Sequence, residues 1–247
     1  MKIKKFLPLI LLLLGLAVVA GAYFFVIKGK KDDTVVDDES SLIEVSLTDR
    51  PIASLTPSDD GHWLKLAIEK LKIDAESLDY ELLYKVSDGR TQGVPGTISL
   101  AGQTMIERDL LLGSESSGKF RYDEGVEEGT LTLRFRNKKG KLIAKFSTQF
   151  SLLSGTSKLA STDDNFSVTL TRVSNAFFVV METFGVPGDP PGDLAAGPYG
   201  VFSSSEAELA GVASISSGTL YGWTGKKWVD LTDGDTSAPG IFIGISQ

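Results

Sequence analysis

The stretch with the most chemistry-like spacing is Gly113-Ser114-Glu115-Ser116-Ser117-Gly118-Lys119, which matches the first seven positions of a phosphate-cradling loop. The next position is Phe120, where the motif needs a Ser or Thr to hold magnesium. Arg121-Tyr122-Asp123-Glu124-Gly125 then fails to open an amphipathic helix whose N-terminus would take phosphate. The same stretch contains Ser116-x-x-Lys119, the start of a Ser–Lys acyl-transfer motif. Its companions Ser-Asp-Asn and Lys-Thr-Gly are missing, and a lysine in a solvated loop is a poor base. Both matches read as a Ser/Gly loop between strands.

His62 is the sole histidine. A Ser-His-Asp triad would have to use it, but no Gly-x-Ser-x-Gly elbow accompanies it, and sites built from several histidines are excluded. In Asp59-Asp60-Gly61-His62 it reads as part of a turn before a strand. Clustered oxygen ligands occur at Asp233-Gly234-Asp235-Thr236-Ser237 and at Thr162-Asp163-Asp164-Asn165. Calcium takes about six to eight oxygens, and neither stretch has a complete loop with a closing Glu. Ordinary Asx turns are the stronger reading, with calcium at Asp233 and Asp235 the sharper alternative. No other cofactor is expected.

Tyr221-Gly222-Trp223-Thr224-Gly225-Lys226-Lys227-Trp228-Val229-Asp230 is the most informative local pattern. Gly225-Lys226 suits a two-residue type II′ loop with Gly first, which sets Trp223 across from Trp228 and Tyr221 across from Asp230. Leu220, Val229 and Leu231 fall on the opposite face, toward the core. Tyr221, Trp223 and Trp228 would then form an exposed strip, a candidate ligand-binding surface whose rings suit the C–H faces of sugars. The plainer alternative is a cross-strand Trp pair that stabilises its hairpin, or one packed on the rest of the protein.

The elements that would position these residues follow from composition and periodicity. With no cysteine among 247 residues, disulfides, thiolate zinc sites and Cys nucleophiles are excluded. Phe6 to Ile27 is uncharged and apolar, and as a helix it spans roughly 33 Å, enough to cross a bilayer. Lys2, Lys4 and Lys5 before it favour a cytoplasmic N-terminus. Ala20-Gly21-Ala22 also fits a signal-peptidase site, but Tyr23-Phe24-Phe25-Val26-Ile27 carries the apolar run beyond it, so an uncleaved anchor is expected. Either way the body lies outside the cytoplasm.

Six of the 25 basic residues lie in the first 31 positions, which leaves 19 against all 32 acids and a net of −13 for the remainder. Such a body repels phosphate backbones, so nucleic acid is excluded as a partner. Membrane lipid at residues 6–27, surface glycans and envelope proteins remain.

Beyond an acidic stalk at 32–41, alternation with a period of two dominates. Ile43, Val45 and Leu47 alternate, as do Leu64, Leu66 and Ile68, although the latter also fit a helix. Thr130 to Leu153 reads as a long hairpin. Leu131, Leu133 and Phe135 share one face, Asn137-Lys138-Lys139-Gly140 turns the chain, and Leu142, Ala144, Phe146, Thr148, Phe150 and Leu152 return on one face. Its Arg and Lys residues face water. Gly185 to Gly200 carries too much Pro and Gly for regular structure. Short strands are expected at 209–215, 219–224, 227–231 and 241–246.

The stretches Leu78-Asp79-Tyr80-Glu81-Leu82-Leu83-Tyr84, Gln92-Gly93-Val94-Pro95-Gly96, Leu110-Leu111-Leu112-Gly113 and Gly129-Thr130-Leu131-Thr132-Leu133 resemble a pattern in single-pass, membrane-anchored β-domain envelope proteins of candidate-phyla bacteria. The resemblance covers about residues 77–150. It implies an envelope location and brings no activity or site residues.

The expected protein is mainly β, an N-terminal transmembrane helix followed by two β-sandwich, Ig-like domains. A basic head and anchor occupy 1–31, the stalk 32–41, the first domain 42–154, a linker 155–165 and the second domain 166–247. A non-enzymatic binding, adhesion or assembly role follows. The alternatives are an extracytoplasmic enzyme, such as a glycoside hydrolase using paired carboxylates, and a self-assembling surface subunit.

Overall fold

Alternation becomes a buried strand wherever a second layer closes over one face. The computed structural model describes residue 39 and residues 42–205, 210–237 and 239–246. The expected anchor at 6–27 and all of the stalk except Glu39 lie outside the described residues. Among the described residues no helix is long and apolar enough to cross a membrane.

The first half of the body holds β1 (Ile52–Pro57), β2 (Trp63–Glu69), β3 (Ser77–Lys85), β4 (Thr91–Ser99), β5 (Ile106–Leu111), β6 (Gly113–Ser116), β7 (Lys119–Tyr122), β8 (Glu128–Arg136) and β9 (Leu142–Leu153). The second half holds β10 (Thr156–Ala160), β11 (Phe166–Ser174), β12 (Phe178–Glu182), β13 (Leu194–Ser203), β14 (Gly211–Ile215), β15 (Thr219–Trp223), β16 (Trp228–Asp230), β17 (Asp235–Thr236) and β18 (Gly240–Ile245). No α-helix occurs among the described residues, so the chain is mainly β.

Nine strands form one sheet in the order β16-β15-β18-β13-β12-β9-β8-β3-β4. A three-stranded sheet, β1-β2-β5, contributes Leu55, Leu64, Leu66, Ile68 and Leu110 to one core. Leu78, Leu82, Leu131, Leu133 and Phe135 of the long sheet meet them there. A four-stranded sheet, β10-β11-β14-β17, brings Leu159, Phe166 and Val168 to a second core, against Val180, Val201 and Phe242. Each such side chain stabilises the fold by roughly 1.5–3 kcal/mol when it leaves water.

The two cores meet at β12. Val179 and Met181 belong to the first, Phe178 and Val180 to the second, and successive residues of a strand point to opposite faces. A strand covered on both sides shows no alternation, which is why 176–181 reads as a continuous apolar run.

The proposed domains at 42–154 and 166–247 thus have counterparts in two cores, but the sheet passes between them unbroken through the β9–β12 pairing. The stretch 155–165 is more than a connection, because Thr156–Ala160 pairs with β11. Residues 38–247 form one compact unit.

The hairpin at 130–153 is present as expected. Leu133 pairs with Phe146, and Gly140 closes the turn at φ 73° while Asn137 Oδ1 accepts from the N–H groups of Lys139 and Lys141. Its outward basic groups are engaged, since Arg134 pairs with Glu81 at 3.0 Å and Arg136 with Asp79 at 2.5 Å across β3. Leu64, Leu66 and Ile68 lie in a strand and are fully buried, which decides against the helix.

Two expectations need correction. Residues 43–47 make no strand; Leu47–Asp49 is a 3-10 turn in which Ser46 Oγ donates to Asp49 at 2.8 Å, and Pro51 follows. Among the described residues only Ile43 N–H bonds to β9, at Ile143 O, and the turn at Leu47 begins before a ladder can form. Within 185–200, Leu194 to Gly200 belongs to β13. Gly197 and Pro198 are accommodated where β13 loses register with β18 between Ala196 and Tyr199.

Candidate binding site

The β15–β16 hairpin has the expected register, with Trp223 opposite Trp228 and Tyr221 opposite Asp230. Gly225 has φ 84°, as a type II′ loop requires, and Leu220 and Leu231 pack on the second core. The strip itself is not open. Trp228 Nε1–H donates to Gly188 O at 3.2 Å, Tyr221 and Trp228 pack over Val186, Ile243 and Ile245, and all three rings are half-buried.

Gly188 lies so close that a Cβ there would stand 2.7 Å from the ring of Trp223. The Pro/Gly-rich segment therefore returns over the strip as its cover. Trp223 and Trp228 meet edge to face at 5.2 Å, a packing pair within the fold.

Asp233 and Asp235 are both exposed and on different elements. Asp233 lines a hollow of about 400 Å³ between the β14 and β15 regions, and Asp235 pairs with Val212 in the β14–β17 ladder. Among the described residues no three His, Cys, Asp or Glu side chains gather as metal ligands. At 162–165 the Asx turn is formed. Asp163 accepts from Ser161 Oγ at 2.5 Å, from both nitrogens of Asn165, and from Tyr199 Oη at 2.8 Å. Burial alone would raise the Asp163 carboxyl, but these donors outweigh it and hold the group below the ordinary carboxylate range.

An aromatic cluster lies elsewhere, at the junction of β2 with the β6–β7 hairpin. Ser117 and Gly118 both have positive φ, 52° and 75°, the signature of a type I′ turn, and Ser116 faces Lys119 across it. The apparent phosphate loop is thus a two-stranded ribbon, as a Ser/Gly loop between strands implies. Phe120 and Tyr122, two apart on β7, share a face of it.

The turn before β2 delivers His62 and Trp63 to that face. His62 N–H donates to Asp60 Oδ1 and Trp63 N–H to Ser58 Oγ, each at 3.0 Å. Ser58 Oγ–H and then His62 N–H, both donating to Asp60 Oδ1, hold the Asp60 carboxyl low. Gly61 is required twice over, by its φ of 70° and because a Cβ would stand 2.4 Å from the ring of Phe177.

His62 stacks on Tyr122 at 4.1 Å with the rings 8° apart, Trp63 meets Phe120 edge-on at 5.6 Å, and Phe120 and Tyr122 are near parallel at 6.2 Å. Phe120 is 46% exposed and Tyr122 39%. His62 and Trp63 beneath them are half-buried. The local signal for this surface was the spacing Phe120-x-Tyr122 after a Ser-Gly turn. His62 and Trp63 lie far upstream, and only the β2–β5 pairing brings them alongside.

A second feature is a cleft on the outer face of the long sheet, where β9 and β12 separate. Ser147 and Gln149 of β9, Asp163, and Glu182 of β12 line one hollow of about 170 Å³, floored in part by Tyr199. Glu182 is exposed over much of its surface. Protein around its carboxyl nevertheless pushes it upward, helped by the charge of Asp163 and opposed by Arg50. Burial, with the Asp163 bond next, also raises the Tyr199 phenol.

Comparison with protein-family models, curated proteins and solved structures finds no match to this chain.

Proposed function

We propose that this protein is a single-pass, membrane-anchored, extracytoplasmic binding module of the cell envelope, non-enzymatic, which works through adhesion or assembly. The anchor is the apolar run 6–27 with its basic head, and the described body is two Ig-like β-sandwiches that share one sheet. The observation that carries the binding role is the aromatic cluster in which Phe120 and Tyr122 lie exposed beside the half-buried His62 and Trp63. Large rings left in water on a projecting ribbon are costly unless a partner covers them. Their flat faces and the acidic balance of the chain beyond residue 31 suit a neutral surface glycan or an envelope protein with a basic rim.

One observation favours the alternative of a carboxylate enzyme. Asp163 and Glu182 line the same hollow with their carboxyls shifted in opposite directions. Against it, the Asp163 oxygens are already engaged by Ser161, Asn165 and Tyr199, which leaves it a turn-forming group.

The test uses the detergent-extracted full chain, presented to glycan arrays and to solubilised envelope proteins. Phe120→Ala/Tyr122→Ala and Trp223→Ala/Trp228→Ala run beside it, each checked for folding. Loss of a specific ligand in the folded first variant supports the reading. Capture that survives it moves the site elsewhere. Turnover of a glycan that Glu182→Gln abolishes would replace binding by catalysis.

A further inference from the structure

Between Lys145 and Gln149 the outer edge of β9 meets no strand among the described residues, although it lies in the middle of a nine-stranded sheet. β8 pairs with β9 from Leu142 to Ser151, whereas β12 meets it only from Phe150 to Leu153. Beyond Met181 the chain of β12 turns away to the three-stranded sheet, where Thr183 O accepts from Ala53 N–H and Phe184 bridges Ile52. Phe184 adopts φ 67° there, a left-handed conformation that a bulky residue takes only when its surroundings force it. The departure opens a gap between β9 and β12.

Hydrogen-bond parity identifies what faces that gap. Leu152 N–H donates to Glu127 O on the β8 side, so even-numbered backbone groups of β9 point to β8 and odd-numbered ones point away. The opposite edge agrees, since Ile143 O accepts from Ile43 N–H at 2.9 Å. The N–H groups of Lys145, Ser147 and Gln149 and the carbonyls of Lys145 and Ser147 therefore look into the gap, where no described strand meets them. Ile43 makes the first bond of an added strand and carries it no further.

The gap is a cleft of mixed lining. A hollow of about 380 Å³, lined by Ala144, Phe146 and Phe184 and by the chain's own Leu42 to Val45 and Arg50, adjoins one of about 170 Å³, and the two share Ser147 and Glu182. The charged groups around it are unevenly engaged. Lys145 pairs with Glu39 at 2.6 Å and Arg50 Nε donates to Val45 O. Glu182 makes no ion pair within 4.0 Å among the described residues, and only the more distant Arg50 charge in the same hollow acts to hold it ionised.

We propose that the gap between β9 and β12 is a strand-addition site that takes an extended peptide segment of a partner protein, with alternating apolar and basic side chains. Its backbone satisfies Lys145, Ser147 and Gln149, its apolar side chains lie on Phe146 and Phe184, and a basic one answers Glu182. The net of −13 on the chain beyond residue 31 favours the same charge. The site is separate from the aromatic cluster and goes beyond the binding role assigned to it.

The test is residue-resolved amide exchange on the full chain in detergent. The probe is an acetylated, amidated octapeptide of alternating Val and Lys, set against its Val/Glu counterpart and a blocked-order Lys/Val control. In the free protein the amides of Lys145, Ser147 and Gln149 exchange about a hundredfold faster than those of Ala144, Phe146 and Thr148. The alternating Val/Lys peptide slows those three by about tenfold or more at saturation. Glu182→Gln weakens it about five- to tenfold, and Phe120→Ala/Tyr122→Ala leaves it unchanged.

Three odd-numbered amides already as protected as their neighbours would show the gap closed and overturn the proposal. So would a Val/Glu or blocked peptide binding as well as the alternating Val/Lys one, or indifference to Glu182→Gln. Protection of the same amides by cellohexaose instead of the peptide would make the cleft a glycan site and overturn it too. Because the aromatic variant is carried through each arm, failure here and failure of the aromatic cluster give different patterns.

Discussion

Two hairpins of this protein carry aromatic residues at alternate positions, and their circumstances are opposite. β15–β16 sits at the edge of the long sheet, and its Tyr221, Trp223 and Trp228 are closed over by Val186 and Gly188. Among the described residues β6–β7 pairs with no other strand, and its exposed Phe120 and Tyr122 stack with His62 and Trp63. The local pattern for a ligand surface was stronger in the first hairpin, yet the second is the one left open. Whether an aromatic strip is a surface or a packing layer depends on a segment distant in sequence, here the Pro/Gly-rich run at 186–193.

The sharpest way to break that contrast is truncation. Trp228→Ala removes the packing on Val186, Ile243 and Ile245 and the bond to Gly188 O. It is expected to cost about 2–3 kcal/mol, below the 3–5 of a fully buried Trp, read as a denaturant midpoint on the detergent-solubilised chain. An equal loss from Phe120→Ala would erase the distinction.

Gly188→Ala sharpens it next, because the new Cβ stands 2.7 Å from Trp223 and must lift the cover. A loss of about 1–3 kcal/mol is expected, with raised Trp exposure to a fluorescence quencher as the confirming signal.

The same contrast between engaged and unengaged groups holds for two carboxyls. Tyr199→Phe removes one donor from Asp163 and is expected to cost about 1 kcal/mol at neutral pH. Because the folded Asp163 carboxyl is held low, its stabilisation is present above the unfolded value of about 3.9 and is lost as pH falls through the folded value. The deficit of Asp163→Asn against wild type should therefore shrink on acidification, and a deficit that stays constant would assign it to packing.

Glu182 has the opposite sign. Its folded carboxyl is raised, so its contribution is present below the unfolded value and lost as pH rises through the folded one. Glu182→Gln is expected to be slightly more stable than wild type at pH 7, with the advantage vanishing in acid, as thermal midpoints across pH would show. The smallest effect belongs to Phe120→Ala, within about 0.5 kcal/mol of wild type, because an exposed ring has little packing to lose.

The hairpin at 130–153 and strand β2 were legible in the sequence because their period-two pattern is local and one face of each is buried against a second sheet. The type II′ loop at Gly225 and the Trp223–Trp228 pairing were legible because short loops set register by backbone conformation alone. The same rule applied to Ser117-Gly118 would have placed Phe120 and Tyr122 on one face. Residues 43–47 alternate just as well and form no strand, since among the described residues only Ile43 bonds to β9 before a 3-10 turn begins at Leu47. Leu194 to Gly200 looked unfit for a strand and is one, because a bulge absorbs Gly197 and Pro198.

By itself the amino-acid sequence determined the β character, the main hairpins and their inward faces, all consequences of backbone geometry and side-chain alternation over a few residues. Only the tertiary structure decided that two cores share one sheet through β12, that Gly188 covers Trp223, that His62 reaches Tyr122, and that β12 parts from β9 beside Glu182. Each of these joins segments tens of residues apart. Such contacts form because burial favours any apolar surface, and which surface meets which is settled by the packing of the whole chain.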